Sequence, residues 1–134
     1  MVAKLLVLAS AGIALALGVL HLVYTFSGPA LLPRDAALQA RMREVPPVIS
    51  RETTMWKAWI GFNASHSMGA ILFGLVYGYL ALVQAELLFG SPFLLCVGGA
   101  MLAGLTLLAR IYWFNVPFWS VGVALACFVA SSLL

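Results

Sequence analysis

The sequence is nearly without charge. Of its 134 residues only 8% are Asp, Glu, Lys or Arg, against roughly a quarter in soluble domains, while 64% are hydrophobic. That balance excludes an ordinary soluble domain and marks an integral membrane protein. Acids are the scarcest class: Asp35, Glu44, Glu52 and Glu86, none of them inside an apolar run. Intramembrane general acid–base chemistry and proton pumping usually draw on buried carboxylates, so neither independent catalysis nor a catalytic residue is expected. Cys96 and Cys127 lie in separate apolar stretches, with no CxxC spacing and no neighbouring charge to activate a thiol. Both are expected as buried thiols packing like small hydrophobes. With two histidines and no intramembrane acid, the ligand set is too small for a zinc or di-metal centre, and no metal site is expected. The net charge of +3 is too slight, and too closely tied to the ends of apolar runs, to suggest nucleic acid.

What the chain does have is four long apolar runs. The first is uncharged from Leu5 to Pro33 and predicts a span over about 3–26. A cleaved leader is the competing reading, but the run exceeds an h-region of roughly 7–15 residues and no small-residue cleavage site follows. The second span is expected over about 52–83, opened by Ser50-Arg51-Glu52-Thr53 as its N-cap region. Gln84 and Glu86 mark a short turn, and Ser91-Pro92 supplies an N-cap with proline at the first helical position of a third span, about 92–110. After the corner Tyr112 to Pro117 a fourth span runs over about 116–133. Small residues recur at four-residue spacing (Gly12 and Ala16, Gly61, Ser65 and Gly69, Gly74 and Gly78), the pattern that lets membrane helices approach closely. The expected fold is therefore all-α: one transmembrane domain over residues 1–134, a four-helix bundle.

The one long connection, 27–57, carries Pro33 and Pro46-Pro47 around the segment 34–45. There Leu38, Met42 and Val45 share a side, which predicts a short interfacial helix between spans 1 and 2. Arg34, Arg41, Arg43, Arg51 and Lys57 lie in or beside this connection, and Arg110 borders the corner between spans 3 and 4. Lys4 alone stands at the other side. The positive-inside rule places connections 1 and 3 in the cytoplasm and both termini outside. With no transit peptide, a bacterial inner membrane is the expected location.

All four tryptophans, both histidines and both asparagines fall at the end of the spans nearest this connection. His21 and His66 lie at comparable depth, on the order of 10 Å from that face at 1.5 Å per residue. Polar groups there normally face protein, water or a ligand. Two histidines on facing helices suit axial ligation of a b-type haem, with Arg110 on a propionate. A histidine or Asn63 as donor, with Ser67, Tyr24 or Tyr112, and tryptophan walls suit instead a quinone carbonyl or a lipid headgroup. The plainest alternative is that His21, Asn63, His66 and Ser67 join helices by hydrogen bonds, each contributing roughly 0.6 kcal/mol.

His21, the Gly61-Phe-Asn-Ala-Ser-His-Ser-Met-Gly69 stretch and the Arg110, Phe114, Pro117 corner taken together resemble a group of small four-helix bacterial inner-membrane proteins with no assigned function. The resemblance implies the four-span architecture and brings no activity with it. On these grounds the expected role is a structural or accessory subunit of a larger membrane complex, respiratory or photosynthetic in type. Membrane lipids and other subunits, or a second copy, would be its partners. The alternatives are a haem-, quinone- or lipid-binding protein centred on His21 and His66, and a small membrane enzyme using those histidines.

Overall fold

A computed structural model describes residues 1–134. The chain is all-α, with helices α1 (Val2–Phe26), α2 (Ala36–Glu44), α3 (Met55–Val83), α4 (Ala85–Gly90), α5 (Pro92–Tyr112) and α6 (Asn115–Ser132). Four of them, α1, α3, α5 and α6, are long and apolar enough to cross a membrane, and α2 is the short helix between the first two spans. The protein is a multi-pass membrane protein.

Local chemistry explains where the helices stop and start. The chain leaves α1 through Gly28, whose φ of +80° is a left-handed conformation that glycine adopts without steric cost. Asp35 caps α2, its Oδ1 accepting from the Ala37 N–H at 2.8 Å and the Leu38 N–H at 3.4 Å. Helix α3 begins later than the expected residue 52. Ser50 caps only a local turn, accepting from the Glu52 N–H, while Thr54 accepts from the Lys57 N–H at 3.3 Å and opens the helix. Ser91 caps α5 as expected, with Pro92 at the first helical position. Pro117 lies inside the first turn of α6, where its missing N–H has no helical partner to lose. The expected turn at Gln84–Glu86 is in fact the start of α4, a helix too short for periodicity to reveal.

The chain divides into two compact units. Unit 1 comprises Met1–Leu17 and Ala70–Leu134 and holds the apolar core: Val7 and Ala11 of α1, Phe73, Tyr77 and Ala81 of α3, Leu88, Leu102, and Val121, Ala124 and Phe128 of α6. Lipid is as apolar as these side chains, so close fit and hydrogen bonds have to hold the helices together. The fit is closest at two glycines. A Cβ on Gly74 would lie 2.6 Å from the Leu15 Cβ and 2.7 Å from the Ala11 carbonyl oxygen. A Cβ on Gly98 would lie 2.5 Å from the Phe128 ring and 2.7 Å from the Tyr77 ring. Tyr77 stacks on Phe73 with centroids 4.5 Å apart, takes the edge of Phe128 at 5.3 Å, and donates its hydroxyl to the Leu94 carbonyl at 2.7 Å. Aromatic pairs of this kind contribute roughly 0.5–1.5 kcal/mol beyond burial. Ser10 is fully buried and its hydroxyl has no partner.

Unit 2, Gly18–Gly69, holds the last turns of α1, the connection, α2 and the first turns of α3. The Met55 N–H donates to the Val45 carbonyl at 2.8 Å, tying the end of α2 to the start of α3.

Two packing expectations are corrected. Gly61 and Ser65 are exposed, and a Cβ on Gly61 would meet nothing within 4 Å. The inward seam of α3 runs instead through Asn63, Ser67, Ala70, Gly74, Tyr77 and Ala81, alternating steps of four and three residues as in a coiled coil. Cys96 is exposed and Cys127 half-buried, so neither is the enclosed thiol expected. Leu102 and Ala109 take the inward face of α5 and leave Cys96 on the outer one.

Candidate functional site

Unit 2 brings His21, Asn63, His66 and Ser67 together between the end of α1 and the start of α3. His21 Nε2 lies 2.9 Å from Asn63 Oδ1, and Asn63 Nδ2 donates to the Trp59 carbonyl at 2.8 Å. The second bond sets the carboxamide: turned over, it would present its oxygen to the Trp59 carbonyl, acceptor against acceptor. Oδ1 therefore faces His21, and His21 Nε2 must be the donor in either protonation state. The ring of His66 meets that of His21 edge to face, with centroids 5.3 Å apart.

Two hydroxyls brace the backbone around this chain of bonds. Thr25 donates to the His21 carbonyl at 2.8 Å, and Ser67 to the Asn63 carbonyl at 2.8 Å; both side chains are buried. Sequence reasoning missed Thr25 and the Trp59 carbonyl. Thr25 sits four residues after His21, the spacing at which a hydroxyl back-bonds to a helical carbonyl, so that signal was available. An acceptor on the main chain leaves no trace in residue types.

Tyr24 and Arg110 complete the expected set. Tyr24 is exposed. Arg110 belongs to unit 1, where its guanidinium lies over the Phe118 ring at 5.6 Å.

The geometry bears on what this cluster can bind. Axial ligation of one haem by both histidines puts the porphyrin between the rings, with each nitrogen roughly 2 Å from the iron. The rings instead meet edge to face with centroids 5.3 Å apart, which leaves no gap for a porphyrin between them. The residues as arranged do not fit a bis-histidine haem. Toward a quinone carbonyl, the His21 N–H is already committed to Asn63. The cluster is well formed for joining α1 to α3 by a bond that lipid cannot replace.

Nearer the surface, Arg43 lies over the Trp56 ring at 5.3 Å, and the Trp59 indole donates to the Leu31 carbonyl at 3.2 Å. Trp59 also walls an open apolar hollow of about 360 Å³ with Ala30, Leu31, Leu32, Pro33 and Met42. Met42 therefore faces a neighbour, whereas Leu38, expected on the same side of α2, is exposed. No family model, no curated protein and no solved structure matches this chain.

Proposed function

We propose that the protein is a structural, non-catalytic subunit of a larger membrane assembly. The observation that carries this reading is a ridge of small residues on the outer face of α5. Gly99 and Ala103, and Ala100 and Gly104, stand four apart on this helix; Ala100, Ala103 and Gly104 are exposed, and a Cβ on Gly99 or Gly104 would meet nothing within 4 Å. Lipid tails need no such ridge, whereas a neighbouring helix uses one to bring backbones close. The polar cluster supports the same reading, since Asn63 bonds to His21 and to the Trp59 carbonyl, and Ser67 to the Asn63 carbonyl.

The membrane is the bacterial inner membrane in this proposal, with residues 27–57 cytoplasmic and both termini outside, as the distribution of Arg and Lys supports. A C-terminal alkaline phosphatase fusion is then active and a C-terminal fluorescent-protein fusion dark.

The direct test is gentle-detergent size exclusion of protein tagged at its native expression level, with a full visible spectrum. A large particle with co-eluting subunits is expected, reduced to the lone chain by Gly99→Leu with Gly104→Leu. A small particle that these substitutions leave unchanged refutes the proposal. A Soret band lost in His66→Gln would return the histidines to the role of haem ligands.

A further inference from the structure

The connection between α1 and α3 joins the ends of two spanning helices, so chain continuity holds it at one membrane surface. Its hollow is shallow and open, with a mostly apolar lining that includes Leu31, Leu32, Pro33, Met42 and Trp59. The bond from Trp59 to Leu31 holds one of its walls in place. Two of the residues lining it are each followed directly by an exposed arginine: Pro33 by Arg34, and Met42 by Arg43.

The charges nearby leave these arginines available. Asp35 is turned onto the first N–H groups of α2, and Glu44 pairs with Arg41 at 3.2 Å. Neither Arg34 nor Arg43 has an ion-pair partner, and Arg43 rests on the face of Trp56, one helical turn before Trp59. The same connection carries Val48 and Ile49 fully exposed on the loop between α2 and α3. Apolar side chains beside a membrane surface are stabilised by entering the headgroup–acyl boundary.

We propose that this connection is a binding surface for an acidic phospholipid of the adjoining leaflet, with an acyl chain in the hollow and the net negative charge of the headgroup, which no choline neutralises, taken by Arg34 and Arg43. An acidic phospholipid joins a net negative headgroup to an apolar tail at this depth, matching the arginines without an ion-pair partner and the apolar hollow that this connection carries. The inference is independent of the subunit reading, because it concerns a different part of the chain and requires no other protein.

The test uses the full-length protein in a nonionic detergent, titrated with phosphatidylglycerol or phosphatidylcholine of identical acyl chains, with bound lipid counted by native mass spectrometry. Arginines near an anionic surface each contribute roughly fivefold in affinity, so phosphatidylglycerol is expected to bind about thirtyfold more tightly than phosphatidylcholine. Arg34→Gln and Arg43→Gln singly are expected to lose about fivefold, and together to erase the preference. Lys4→Gln, outside this connection, leaves the preference intact. Trp59→Ala opens the hollow and weakens both lipids alike. Equal binding of the two lipids by the unsubstituted protein overturns the proposal. So does a preference that survives the double arginine substitution, or displacement of the lipid by equimolar inorganic phosphate, which would show that the hollow adds nothing.

Discussion

Gly74→Ala is the sharpest probe of the packing between α1 and α3 in unit 1. The added Cβ would lie 2.6 Å from the Leu15 Cβ, 2.7 Å from the Ala11 carbonyl oxygen and 3.0 Å from the Leu15 Cα. Two of these three atoms are backbone, so no side-chain rotation relieves the clash. Reaching ordinary contact requires the helices to part by roughly 1 Å, and a gap of that size forfeits a quarter to a half of each neighbouring dispersion contact. Overpacking of this kind costs about 1–3 kcal/mol. The better helix propensity of alanine returns at most about 1 kcal/mol, and less where the unfolded chain stays helical in the micelle. The expected net loss is about 1–2 kcal/mol. Gly78, one turn further along α3, is the control: a Cβ there would sit 3.9 Å from the Ala11 Cβ, an ordinary contact. Gly78→Ala is therefore expected to be neutral or slightly stabilising. Unfolding by graded SDS in mixed micelles, followed by tryptophan fluorescence and helicity, measures both. Equal stabilities for the two variants, or a larger loss at Gly78, would refute the packing described.

Asn63→Leu leaves the His21 N–H without its acceptor and is expected to cost about 1–2 kcal/mol. His21→Leu with Asn63→Leu should cost clearly less than the sum of the single changes, which a double-mutant cycle in the same assay measures; strict additivity would show that the two do not interact. Ser10→Ala removes a fully buried hydroxyl that has no partner, so stability should be unchanged or higher by up to about 1 kcal/mol in SDS unfolding, and a loss would reveal an unseen partner. Tyr77→Phe keeps the ring stack and loses only the bond to the Leu94 carbonyl, for an expected cost of about 1 kcal/mol by thermal melting. Gly98→Ala is expected to cost more than Tyr77→Phe, because Phe128 is fully buried and the Tyr77 ring is held at both its face and its hydroxyl.

The sequence by itself determined the class of fold and the number of spans. Water excludes uncharged runs of this length, and a bilayer requires backbone groups to bond within each segment, so apolar runs separated by prolines and charges have one reading. Ser91-Pro92 was equally legible, because a cap is local chemistry. The depth of His21 and His66 could also be read, since rise per residue and the antiparallel order of consecutive spans suffice to compare them.

Rotation about each helix axis was not legible. In a span where nearly every side chain is apolar, hydrophobic periodicity no longer separates inside from outside. Gly61 and Gly74 looked alike in sequence, yet one faces outward and the other lies against the α1 backbone. The same blindness left Cys96 misplaced and the exposure of Tyr24 unread. Only the tertiary structure decided that His21 gives its N–H to Asn63, and that His66 meets it edge to face. Hydrogen-bond direction depends on ångström-scale placement and on a main-chain carbonyl, and neither is written in residue types.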